Sequence, residues 1–135
     1  MLRDARSRET AFEGRRILIA EDDVRNVFAL TSVLEPKGAK VEIARNGREA
    51  VDAVKKHPDI DLVLMDIMMP EMDGLQAIRA LRSEPQYGKL PIIALTAKAM
   101  QDDRDRCIAA GANDYIAKPL DVDKLLSLAR VWIRK

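Results

Sequence analysis

At 135 residues the chain is long enough for one compact domain and too short for two ordinary ones. A composition of 33% charged and 47% hydrophobic residues, with a formal net charge of +1, describes a soluble globular protein. It excludes a whole-molecule field for nucleic acid or membrane. Lone Cys107 excludes an internal disulfide, and with His57 as the single histidine a Cys/His zinc site cannot be assembled. No apolar run approaches the ~20 residues of a membrane span and no secretory signal opens the chain, so a cytoplasmic location is expected.

Residues 1–14, "MLRDARSRETAFEG", are polar and Arg-rich and read as a linker or tail, with the folded domain expected over residues 15–135. From there five short apolar runs follow: "ILIA" (17–20), "VEIA" (41–44), "LVLM" (62–65), "IIAL" (92–95) and "YIAK" (115–118). Between them lie segments of helical period, "VRNVFALTSVL", "REAVDAVKKH", "LQAIRALR" and "AKAMQDDRDRCIAAG", and "DVDKLLSLARVWIRK" closes the chain. Pro36 in "LEPKG" ends the first helix early. Strand–helix alternation of this kind implies an α/β fold, a five-stranded parallel sheet with helices on both faces.

Three runs, "ILIA", "LVLM" and "IIAL", are continuously apolar, as strands covered on both faces must be. "VEIA" is interrupted by Glu42 and "YIAK" ends polar, which suits sheet edges. Edge positions for runs 2 and 5 give the order 2-1-3-4-5, whose ligands bind beyond the carboxyl ends of the strands. Those ends carry Glu21-Asp22-Asp23, Asp66, Thr96 and Lys118-Pro119. Folding therefore gathers acids, a hydroxyl and an ammonium in one crevice.

Two carboxylates ~5 Å apart repel by roughly 3 kcal/mol at an effective dielectric near 20. A cation relieves this, and all-oxygen ligation points to a hard ion, Mg2+ or Mn2+. Lys118 and Thr96 then suit the oxygens of a phosphoryl group. Asp66, deepest in the sheet, is the candidate nucleophile, because an ionised carboxylate attacks phosphorus without a general base.

The motifs "ILIAEDD", "LVLMDIMMPEMDG", "PIIALTA" and "AGANDYIAKP" resemble the receiver domain of bacterial two-component response regulators, from about Arg15 to Lys135. That family has the flavodoxin-like 2-1-3-4-5 fold. The resemblance implies a signalling phosphoacceptor rather than an enzyme, taking phosphoryl from a histidine kinase or histidine phosphotransfer domain onto Asp66. It implies Mg2+ bound by Asp22, Asp66 and the backbone carbonyl of Met68, with Glu21 acting through water and Asp23 outside the set. Thr96 and Tyr115 match the family's switch pair, and Lys118-Pro119 a bond that is usually cis. Met68 and Lys98 fall where the family tunes acyl-phosphate hydrolysis. The start of the chain and "EDDVRNVFALTSVLE" most resemble receivers of hybrid histidine kinases, whose parent proteins are often membrane-anchored. A weak homodimer is compatible with this reading, and direct contact with nucleic acid or membrane is not expected.

A phosphohydrolase of the haloacid dehalogenase type shares the metal and nucleophile but carries a second Asp two residues on, where Met68 stands here. No G-x-x-x-x-G-K or G-x-G-x-x-G occurs. On the last helix Val122, Leu125, Leu126, Ala129 and Ile133 form the expected inward stripe, with Leu128 and Trp132 at its margin, where partial exposure is expected and packing is favoured over a partner contact. Asp103 and Arg104 interrupt the Met100–Ile108 face of the preceding helix, which is expected to be weakly anchored. Cys107 reads as core, His57 as a solvated last-turn residue and Asp73-Gly74 as the turn into a helix.

Overall fold

The computed structural model of the chain describes residues 12–97 and 101–133, except for the side chains of residues 101 and 102. Residues 1–11 of the expected linker, Lys98 and Met100 lie outside the described residues. The strands are β1 (Arg16–Ala20), β2 (Lys40–Ala44), β3 (Ile60–Asp66), β4 (Ile92–Thr96) and β5 (Asp114–Ala117). They alternate with α1 (Val24–Leu34), α2 (Gly47–Lys56), α3 (Gly74–Arg82), α4 (Gln101–Ala110) and α5 (Val122–Trp132). All strand pairs are parallel, in the order β2-β1-β3-β4-β5 expected from the apolar runs.

Side chains alternate across a strand, so each central strand feeds two cores. Ile17 and Ile19 of β1, Leu62 and Leu64 of β3, and Ile93 and Leu95 of β4 pack with Leu30 and Leu34 of α1 and Leu125, Leu126 and Ala129 of α5. On the other face, Leu18, Ala20, Val63, Met65, Ile92 and Ala94 pack with Ala50 and Val54 of α2, Ile78 and Leu81 of α3, and Cys107 and Ala110 of α4. The edge strand β2 keeps Glu42 half-buried and Ile43 exposed.

Helix boundaries follow local chemistry. Asp23, Asn46, Asp73 and Asp121 cap α1, α2, α3 and α5, each accepting from an amide of the first turn. Asp73 and Gln76 form a reciprocal capping box, which accounts for Asp73-Gly74 in the sequence. As Pro36 requires, α1 stops at Leu34 and runs into a 3-10 turn, Glu35–Lys37.

Two expectations need correction. Phe12, placed in the 1–14 linker, is fully buried among Ile17, Leu34 and Ala39, and Gly14 N–H donates to the Gly38 carbonyl at 3.3 Å. Burying one Phe ring contributes about 1.5–3 kcal/mol toward anchoring the residues that lead into β1. Val122 is exposed rather than part of the α5 stripe, since it is the first residue of the helix. Trp132 is half-buried, and its Nε1–H donates to Asp114 Oδ2 at 3.1 Å, so its polar edge is satisfied within the chain.

At the end of the sheet opposite Asp66, the Arg82 guanidinium donates to the carbonyls of Gly111 (2.9 Å) and Tyr87 (2.6 Å) and to Asn113 Oδ1 (3.0 Å). None of these acceptors is a carboxylate, and burial pulls the pKa of Arg82 below its usual value. One side chain thereby joins the end of α3 to the α4–β5 turn. Arg82→Ala should lose about 1–3 kcal/mol in urea denaturation, the cost of leaving part-buried acceptors unpaired. A midpoint equal to wild type would show these bonds to be replaced by water at no cost.

Candidate functional site

Strand register decides which side chains meet at the carboxyl edge. Ala20 pairs with Met65, so Glu21 and Asp66, each one residue further on, emerge side by side. Asp66 pairs with Leu95 and Thr96 with Ala117, which puts Thr96 and Lys118 next along the same edge. Backbone bonds fix the row: Ile67 N–H donates to the Leu95 carbonyl at 3.0 Å and Lys118 N–H to that of Thr96 at 2.6 Å. The Lys118–Pro119 peptide is cis.

Glu21, Asp66 and Thr96 are the buried polar residues among those described. Lys118 Nζ bridges the two acids, 2.8 Å from Glu21 Oε1 and 2.9 Å from Asp66 Oδ2. Asp66 Oδ1 accepts from the Met68 amide at 3.0 Å. Glu21 also accepts from Asn26 Nδ2 (3.1 Å) and from the Asp23 amide (3.1 Å). Asp22 is exposed, yet carboxylate oxygens of Glu21, Asp22 and Asp66 lie within 4.8 Å of one another. Beside them a cleft of about 490 Å³ is lined by Asp22, Ile67, Met68, Met69, Pro70 and Asp73.

One ammonium therefore faces three carboxylates. Burial, and after it the adjacent Asp66, push the Glu21 carboxyl above its ordinary range, although Lys118 and the Asp23 amide pull it down. Burial opposes charge on Lys118, but its bonds to Glu21 and Asp66 outweigh that and hold its pKa above the usual value. The cluster keeps an excess of negative charge on oxygen donors alone. This donor set fits a hard divalent ion such as Mg2+, and the absence of imidazole or thiolate from it disfavours zinc.

Asp23 stands apart, as expected. It caps α1, and the Arg25 guanidinium holds its carboxyl below the ordinary range. Tyr115 is half-buried on β5, with the Arg104 guanidinium 5.7 Å from the ring centroid, within cation–π range. Thr96 lines a second cavity of about 270 Å³ together with Ile67, Met68, Leu75, Asp103 and Arg106. Two residues with a part in the site were missed from sequence. Asn26 holds Glu21 from α1 and carries no periodic signal. Gly74 lies so close to Asp66 that a β-carbon there would overlap the Asp66 carbonyl oxygen, a requirement that the "DG" pair only hints at.

Comparison with known proteins gives this geometry a family. The chain matches the response regulator receiver domain over residues 17–130 and belongs to that family. It is 38% identical over 120 residues to the sensor histidine kinase GacS of Pseudomonas protegens; the match covers 87% of this chain but only 13% of that protein. The receiver domain of sensor histidine kinase PA1611 from Pseudomonas aeruginosa PAO1, with a magnesium ion coordinated in its active site cleft, is similar at TM-score 0.81 and 37% identity, covering 88% of this chain and 97% of that one. A co-crystal structure of the Saccharomyces cerevisiae histidine phosphotransfer protein Ypd1 with the receiver domain of the response regulator Ssk1 gives TM-score 0.84 and 32% identity, covering 90% of each chain. Among the described residues no helix is long and apolar enough to cross a membrane.

Removing the bridging ammonium should cost stability. Lys118→Ala is expected to lose about 2 kcal/mol in chelator-treated protein, because two buried carboxylates lose their shared cation. Millimolar Mg2+ should recover part of that loss in urea denaturation, by stabilising the folded state alone. A Mg2+-independent midpoint in both wild type and variant would rule out a cation site at this cluster.

Proposed function

We propose that Asp66 is the phosphoacceptor of this receiver domain and takes its phosphoryl group from a phosphohistidine on a kinase or histidine phosphotransfer protein. The observation that carries this is the buried Asp66 carboxylate at the carboxyl edge of β3, held by Lys118 and the Met68 amide next to two further acids. In the transfer an Asp66 oxygen forms the new O–P bond as the N–P bond of phosphohistidine breaks, and the electron pair stays with the imidazole. Asp66 needs no base, since it enters the reaction as the carboxylate. Lys118 holds a phosphoryl oxygen in place and offsets its charge, while the Thr96 hydroxyl donates to another. Asp22, Asp66 and the Met68 carbonyl would hold Mg2+, which when bound neutralises phosphoryl oxygens during in-line transfer. Mn2+ satisfies the same oxygen set. The Glu21 carboxylate acts from behind, orienting Lys118.

In this reading Thr96 and Tyr115 report the modification. Drawing the Thr96 hydroxyl toward the phosphoryl group changes the packing that Tyr115 meets, and the Arg104–Tyr115 contact is the local restraint to be released. The likeness to hybrid kinase receivers supports a parent of that kind, and a cytoplasmic location is part of the same reading.

Incubation with acetyl phosphate and Mg2+ should add one phosphoryl group by mass, labile in base, and Asp66→Asn should abolish it. Equal labelling of that variant, or labelling indifferent to chelation, would overturn the assignment.

A protein donor must also cover the rim of the site so that its imidazole reaches Asp66. Val24 and Phe28 on α1 and Met68 beside Asp66 are 71%, 73% and 70% exposed, an apolar border that suits such a partner. Phe28→Asp should slow phosphoryl transfer from a histidine phosphotransfer protein at least tenfold, the loss of one anchoring side chain, and leave acetyl phosphate labelling unchanged. Equal slowing with both donors would place the effect inside the site instead.

A further inference from the structure

The loop from Ile67 to Asp73 carries the Met68 amide that holds Asp66; Ile67, Met69 and Met72 pack against the core, whereas Met68, Pro70 and Glu71 are exposed. The backbone around Met72 is held in addition from α2. Gly47 N–H donates to the Met72 carbonyl at 2.7 Å. A β-carbon on Gly47 would lie 2.5 Å from that oxygen and 2.8 Å from the Asp73 carbonyl, so the helix start sits against the loop backbone. Asn46 reinforces the contact: its Oδ1 caps α2 through the Glu49 amide, and its Nδ2 donates to Glu71 Oε2 at 3.2 Å. Glu71 has φ 64°, a left-handed conformation that a β-carbon disfavours and that persists where surrounding contacts over-determine it. At its other end the loop is pinned by Gly74, whose N–H donates to the Ile67 carbonyl at 3.3 Å.

We propose that Gly47 and Asn46 at the start of α2 are positioning residues for phosphoryl transfer, because they help seat the 67–73 loop so that the Met68 amide reaches Asp66. The inference rests on the Asp66 reading. It assigns a role in the reaction to a helix whose own side chains, among the described residues, do not enter the acidic cluster. A displaced loop moves a donor and a candidate ligand together, the kind of outer-shell change that costs about 10–100-fold in metal affinity.

The test compares Gly47→Ala with Val54→Ala, a buried residue near the far end of the same helix. Gly47→Ala should weaken Mg2+ binding by calorimetry and slow acetyl phosphate labelling, each about tenfold. It should also shift the Met68 amide resonance in metal-free protein. Val54→Ala, compared at the same interval below its own melting temperature, should leave all three within twofold of wild type or unshifted. Losses that Val54→Ala reproduces, or wild-type behaviour of Gly47→Ala, overturn the proposal. If Gly47→Ala does not fold, Asn46→Ser decides, since it keeps a capping oxygen and deletes the donor to Glu71. A roughly threefold loss in Mg2+ affinity with a shifted Met68 amide supports the seat, and values equal to wild type refute it. A wild-type chain that takes no phosphoryl group refutes the Asp66 reading, while Mg2+ affinity and the Met68 amide still judge the loop.

Discussion

Everything at the carboxyl edge of the sheet is organised by a charge imbalance that the fold creates and does not itself resolve. Three carboxylate oxygens within 4.8 Å of one another share a single ammonium, and two of the acids are buried. Desolvated like charges are unfavourable unless paired, so such a cluster persists only because the rest of the structure over-compensates. Two apolar cores clamp β1, β3 and β4 from both faces and fix the register that aligns Glu21 with Asp66. The excess charge on oxygen donors is what makes the cluster fit for a divalent ion. Stability of the scaffold in this sense offsets the cost of the charges held at one edge.

The acidic edge is also shaped by contacts that exclude side chains. At Gly74 and Gly47 the backbone of one element comes so near that of another that no β-carbon fits. Side-chain packing tolerates small shifts by changing rotamers, whereas carbonyl oxygens set against a helix backbone have no such freedom. Such contacts help a loop whose Met68, Pro70 and Glu71 side chains are exposed to hold an amide 3.0 Å from Asp66.

Much of this was legible in the sequence, because strands covered on both faces must be continuously apolar, and their polar ends are contiguous with them. That alone gave the strand order and brought Glu21, Asp22, Asp66, Thr96 and Lys118 to one edge. What escaped was carried by contacts without period. Phe12 is a lone aromatic in a polar stretch, and nothing local says that it turns back onto Leu34. The hydrogen-bond partner of Trp132, Asp114, lies on a different element and leaves no local signal. The seat of the 67–73 loop depends on Asn46 reaching Glu71 across 25 positions of chain, a pairing that neither helical nor strand periodicity encodes.

The Arg82 clamp bears on how α4 can move. The helix starts near the strand ends that carry Thr96 and returns toward the opposite side of the sheet, where its exit is tied through Gly111 and Asn113 to Arg82 and, by Asn113 N–H, to Ile92. Of the described side chains on α4, Cys107 and Ala110, both toward that exit, are buried, whereas Asp103 and Arg104 are not. Rotation about a fixed exit thus has the smallest energetic opposition, and displacement grows with distance from it. The end of α4 nearest Thr96 is therefore the end with the longest lever arm.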